Sequence, residues 1–330
     1  MKKLSLLSVL LLIVSFVLSG CGSNSSPSVS SSAADFSPVT FTDSTGQEVT
    51  LNSRPQNVAV LFSSYAEIWQ IAGGEVKITV GDSIKRGFVS KDEVTLVDDG
   101  NGSGIDTEQL IAGKPDFVIG SADVPVQVEA CSFCAKAGIP SALFKVENID
   151  DYLSMLKVCT DITGNSEAYQ KNGVEVAQEA ERVKQLAAEY TKDKEPIKIL
   201  FVRAGSSAKS TKAKTARDNF AAEIINELGT YNIAEKADVL LDGLSLEEIV
   251  AEDPEYIFIS TQGSEDAAKK YIGELFTGDG WKDLQAVKNS KYIFLPKELF
   301  HYKPNARWAE SYIYAANILY PELNLKNENQ

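Results

Sequence analysis

Thr107-Glu108-Gln109-Leu110-Ile111-Ala112-Gly113-Lys114-Pro115-Asp116-Phe117-Val118-Ile119-Gly120 is echoed by Leu246-Glu247-Glu248-Ile249-Val250-Ala251-Glu252-Asp253-Pro254-Glu255-Tyr256-Ile257-Phe258-Ile259-Ser260. Each stretch holds a Glu, an Ala four residues on, a Pro seven residues after the Glu, an acid and then an apolar run. One helix–turn–strand unit written twice predicts two lobes built on a similar plan. Any α/β chain contains helix–Pro–strand joints, but the in-register Glu, Ala and Pro favour a repeated plan over coincidence. Two lobes imply a cleft between them, the usual seat of a small molecule.

The flanking pattern agrees. Strands are expected at 58–62, 76–80, 95–97, 117–120 and 141–146, with helices between them and a loop at 81–88. A second alternation begins at 197–202. It continues through helices at 219–228, at Glu247 and at 265–276, a strand at 292–295 and a last helix from about 305 to 319. Short strands alternating with helices predict an α/β fold of two Rossmann-like lobes with mostly parallel sheets, whose ligands bind beyond the carboxyl ends of the strands. Between them, Glu167 to Tyr190 carries Val176, Ala180, Val183, Leu186 and Ala187 near helical spacing. One long connecting helix is expected, with Gly173 its weak point and little lobe motion as the consequence. The resulting domains are 1–20 (signal), 21–38 (tether), 39–150 (first lobe), 151–195 (connecting helical segment) and 196–330 (second lobe).

The N-terminus reads as an address. Lys2 and Lys3 precede an apolar run at 4–18, and Leu18-Ser19-Gly20-Cys21 follows at once. That pattern looks like a bacterial lipobox, with cleavage before Cys21 and a lipid on its thiol. The alternative, a membrane-spanning anchor, has a marginal length for that role. Ser-rich residues 22–38 read as a flexible tether. The expected location is extracytoplasmic, lipid-anchored to the cell membrane.

The chain carries 32 basic and 46 acidic residues, net −14. Removing residues 1–20 takes two lysines and no acid, which leaves 30 against 46, net −16. This balance argues against a nucleic-acid partner. Cys131-Ser132-Phe133-Cys134 has redox or metal spacing, but no second CxxC and one His leave a zinc site without ligands. The cysteines read as small buried residues of a helix face, with a disulfide or redox pair as the alternative.

Beyond the lipobox at 18–21, Glu108…Lys114-Pro115-Asp116, Gly138-Ile139-Pro140, Leu228-Gly229-Thr230-Tyr231-Asn232-Ile233, Ser245-Leu246-Glu247…Asp253-Pro254 and Trp281…Leu284…Ala286-Val287 appear in order within residues 40–325. With these motifs the chain resembles the substrate-binding lipoproteins of ABC importers for iron–siderophores, haem and cobalamin, in which one long helix joins two α/β lobes. The resemblance implies a non-enzymatic carrier with no resident cofactor, whose partners are an iron chelate, the permease subunits and, through Cys21, the membrane. It also implies that Glu108 and Glu247 dock on the permease. The same acids would complement a helix macrodipole.

The segment from Arg203 to Arg217 holds Arg203, Lys209, Lys212, Lys214 and Arg217 and no acid. Lys85 and Arg86 occupy the corresponding place in the first lobe. Two basic loops facing a cleft would hold an anion such as a ferric siderophore; otherwise they are solvated charge. Phe300-His301-Tyr302-Lys303 follows the last strand. There His301 or Tyr302 is a candidate haem ligand and Lys303 a further cation, while the alternative for His301 is simple hydrogen bonding. Tyr65 is either an aromatic wall of the cleft or core packing. Haem and cobalamin remain open as ligands, though cobalamin would favour a less charged cleft. The rival class is an extracellular enzyme, but GxSxG, HExxH and P-loop motifs are absent.

Overall fold

The computed structural model describes residues 36–100, 104–236, 240 and 243–326. The leader, Cys21 and most of the tether lie outside the described residues. The first lobe opens with an antiparallel hairpin, β1 (Val39–Thr42) and β2 (Glu48–Leu51), which the sequence reading missed. Its turn is tied by Asp43, whose carboxylate accepts from the Thr45 and Gln47 amides at 2.8 and 3.1 Å and from the Leu143 amide at 3.0 Å. Next come β3 (Val58–Val60), β4 (Val76–Thr79), β5 (Thr95–Leu96), β6 (Phe117–Ser121) and β7 (Ser141–Phe144). They form one parallel sheet in the order β5-β4-β3-β6-β7. The second lobe contains β8 (Lys198–Ala204), β9 (Lys212–Ala213), β10 (Tyr231–Asn232), β11 (Tyr256–Thr261) and β12 (Tyr292–Phe294). Its parallel order is β10-β8-β11-β12, with β9 folded back antiparallel on β8. The central strands β3, β6 and β8 are nearly continuous apolar runs because helices cover both sheet faces.

The repeat read from the sequence is a repeat of form. Val58 pairs with Phe117 in the first lobe and Ile199 with Tyr256 in the second, so the same helix–turn–strand unit lies beside the first strand of each parallel sheet. Both copies leave their helix through a left-handed residue just before the proline, Lys114 at φ +53 and Asp253 at φ +42. The residue before a proline is crowded out of the right-handed helical region, so the turn is set locally.

The connector follows a helix over Ile149–Thr163, then Ser166–Tyr169, a π turn at Gln170–Val174 and the helix Glu175–Thr191. The expected long helix therefore runs its course with one wide turn, located at Gly173. A Cβ on Gly173 would meet the Leu153 and Leu156 methyls at 3.2 Å, so glycine lets the two connector helices approach closely. The buried Tyr152 phenol donates to the Asn172 carbonyl at 2.7 Å, within the π turn. The 81–88 segment, read as a loop, begins with a short helix, Gly81–Lys85. Cys131, Cys134 and Cys159 are free and buried. Burial pushes the Cys131 thiol up to about 12, which makes it inert, as the packing reading requires. Among the described residues no helix is long and apolar enough to cross a membrane.

Candidate functional site

Strand order reverses beside β3 and beside β8, and ligand crevices form at such points. A cavity of about 550 Å³ lies where the carboxyl ends of β8 and β11 face the segment following β7. The first lobe contributes Glu147 and Asn148. The second contributes Arg203, Ser260, the helix Phe220–Glu227, and the loop bearing Phe300, His301 and Lys303. That loop is fixed to β11 by the Ser260 hydroxyl, which donates to the Phe300 carbonyl at 3.3 Å. The helix begins at Asn219, whose side chain accepts from the Ala221 and Ala222 amides and sets the helix start.

The charges in this cavity are shaped by burial. Desolvation, and then Arg203, hold the His301 imidazole far below its usual range, from 6.5 to about 4. His301 is therefore neutral at physiological pH and offers one donor and one acceptor. Burial also lowers the Lys303 ammonium, which Glu147 and Asp123 partly offset, and its Nζ sits 4.9 Å over the Phe220 ring. Glu223 moves the other way: burial raises its carboxyl, and then Glu227 and Asp151 add repulsion.

The His301 shift carries a pH signature. The unfolded chain binds a proton near 6.5 and the folded one near 4, so stability is expected to fall as pH drops through that window and to level off below it. His301→Gln should flatten this limb of the melting temperature against pH. An unchanged slope would place the acid sensitivity elsewhere.

Of the residues read from the sequence, Arg203, Arg217, His301 and Lys303 line this cavity. Arg217 sits at its rim, with a side chain 78% exposed and 4.0 Å from Glu235. Lys209 and Lys212 line a separate hollow of about 130 Å³ on the far side of Arg203. The acid-free run also finds acids in space, since Lys214 meets Asp218 at 2.7 Å. Four of the remaining candidates do not line this cavity. Tyr65 is core, 1% exposed, with its phenol donating to the Phe144 carbonyl at 3.1 Å. Lys85 donates to the Gly100 carbonyl of its own lobe. Arg86 is 8% exposed and turns toward the lobe junction, as does Tyr302.

That junction was not foreseen. The Arg86 guanidinium donates to the Ser64 hydroxyl at 2.8 Å and stacks between the rings of Phe88 (4.5 Å) and Tyr302 (4.1 Å). Glu67 accepts from the Asn305 amide at 2.7 Å and lies 3.5 Å from Arg307 and 3.8 Å from Arg86. The same Asn305 amide donates to the Ser64 carbonyl at 2.9 Å. Asn305 is fully buried at φ +55, a conformation Asn tolerates better than most residues. The lobes are thus pinned by a buried polar cluster between the helix Ser63–Ile71 and the entry to the helix Trp308–Leu319.

Glu108 and Glu247 are both exposed and both occupy the second position of their helices, Thr107–Ala112 and Leu246–Glu252. Glu147, Asn148, Glu223 and Glu227 were missed as cleft residues. The strand-end rule could have found Glu147 and Asn148, and the i, i+4 spacing of the two glutamates on one helix face was visible.

Residues 58–299 match the family model described as periplasmic binding protein. The chain is 24% identical over 332 residues to the uncharacterized ABC transporter substrate-binding lipoprotein YvrC of Bacillus subtilis, covering 98% of this chain and 99% of that one. It is 22% identical over 300 residues to the molybdate-binding protein MolA of Haemophilus influenzae, covering 86% and 82%. Among solved structures, SirA of Staphylococcus aureus complexed with staphyloferrin B superposes with a TM-score of 0.63 at 19% identity, over 88% of this chain and 100% of that one.

Proposed function

We propose, for a chain that belongs to the periplasmic binding protein family, that it captures an anionic ferric siderophore outside the membrane and delivers it to the permease of an ABC importer. The observation that carries this reading is the convergence of Arg203 and Lys303 beside a neutral His301 in one cleft cavity of about 550 Å³. That volume suits a drug-sized organic ligand and far exceeds what a bare tetrahedral oxoanion fills. Lipid on Cys21 would hold the carrier at the membrane, and Glu108 and Glu247 would dock it.

The test is a titration with ferric staphyloferrin B. Arg203→Ala should cost about 1.5–3 kcal/mol, roughly ten- to a hundredfold in affinity, for one charge-assisted hydrogen bond to a desolvated carboxylate. Unchanged affinity in a folded variant would remove Arg203 from the site. Haem is the second reading, supported by His301, since metal ligation needs the neutral imidazole. A Soret band in protein purified from its own host would select it, and a broad charge-transfer band would select the ferric siderophore.

A further inference from the structure

We infer that the ligand of this cleft is mixed in charge, an anionic body held at Arg203 and Lys303 that carries a protonated amine arm held at Glu223. The inference rests on the cavity being the binding site proposed above, and it narrows the ligand class. The lining carries both signs: Arg203, Arg217 and Lys303 against Glu147, Asp218, Glu223 and Glu227. Most of these already have partners. Asp218 holds Lys214 at 2.7 Å, Glu147 holds Lys145 at 3.0 Å, Arg217 lies 4.0 Å from Glu235, and Glu227 accepts the Tyr312 phenol. The charges left over are Arg203, Lys303 and Glu223, whose side chains make no hydrogen bond or ion pair among the described residues.

A pure polyanion would satisfy the two cations and leave Glu223 repelled as well as unpaired. A ligand with one cationic arm satisfies all three. The order along the helix Phe220–Glu227 fits such a ligand. Phe220 carries Lys303 over its ring, and Glu223 lies one turn further on, roughly 5 Å along the axis, with Glu227 a turn beyond. A second hollow of about 370 Å³ shares Asn148, Glu223 and Glu227 with the main cavity, so the acidic end has room for an arm. The nearby cation acting on Glu223, Lys184, is already bound to Glu181 at 3.0 Å. Glu223 is raised by burial and by its acidic neighbours, a cost that a bound ammonium would relieve.

The experiment uses a citrate amide bearing a free aminoethyl arm and its N-acetylated counterpart, which differ in that one charge. Each is titrated as the ferric chelate and without iron, against the parent and Glu223→Gln. The parent is expected to bind the amine form roughly tenfold tighter, and Glu223→Gln to erase that preference by weakening the amine form, with the acetylated form bound no worse than by the parent. Equal binding of the two forms by the parent, with and without iron, overturns the inference, as does an equal loss for both in Glu223→Gln. A Glu223-dependent preference seen only without iron supports the inference and instead sinks the ferric reading.

Discussion

Cells carrying Glu108→Arg together with Glu247→Arg are expected to lose uptake of the proposed iron chelate, while the purified variant binds ligand with parental affinity. Both acids are exposed at the second residue of equivalent helices, one in each lobe, each followed by the same left-handed turn into proline. Among the described residues neither takes part in an ion pair or side-chain hydrogen bond, so reversal breaks no internal contact. Val250, one turn beyond Glu247, is 47% exposed and adds an apolar element to the same face. Two carboxylates on paired lobes fix the orientation of a partner by charge, and like-charge juxtaposition costs several kcal/mol in a docked complex. Each single reversal should therefore weaken uptake and the double should abolish it. Radioiron accumulation in cells, set beside the dissociation constant of the purified protein, checks this. If the helix macrodipole were their whole role, each reversal would cost about 0.3–1 kcal/mol of stability and leave uptake largely intact.

Glu67→Ala should destabilise the folded protein by about 3 kcal/mol, since removing one partner from a buried charge cluster leaves the others uncompensated. The carboxylate, 18% exposed, stands among Asn305, Arg307 and Arg86. Without it Arg86 stays buried near Arg307, with Asp82 as the remaining carboxylate acting on it. Urea unfolding gives the magnitude, and a cycle with Asn305→Ala isolates the coupling across the lobe junction. A loss below about 1 kcal/mol would class the pair with ordinary surface contacts and assign the lobe spacing to the connector alone.

The extent to which the site could be read depended on how local its cause was. Arg203 and His301 could be placed beside the cavity because strand-end position follows from the alternation of elements. Tyr65 also follows a strand, yet its ring is in the core, because the face of the helix Ser63–Ile71 that it occupies is buried. Lys85 and Arg86 are adjacent and equally basic in sequence. One reaches a glycine carbonyl of its own lobe, and the other is sandwiched by Tyr302 of the second. The basic run is acid-free only between Arg203 and Arg217: Asp218 is the next residue and pairs locally with Lys214, and Glu235 arrives by folding beside Arg217.

The sequence by itself determined the two-lobed α/β architecture, the repeated unit and the place of the connector. Hydrophobic period, proline turns and glycine positions act over a few residues and are legible in order. The tertiary structure alone decided which charges remain free in the cleft and what pins the lobes. Glu67 and Asn305 bond across 238 residues of chain, and a buried charge takes whichever partner the packing brings within hydrogen-bond reach, however distant in sequence.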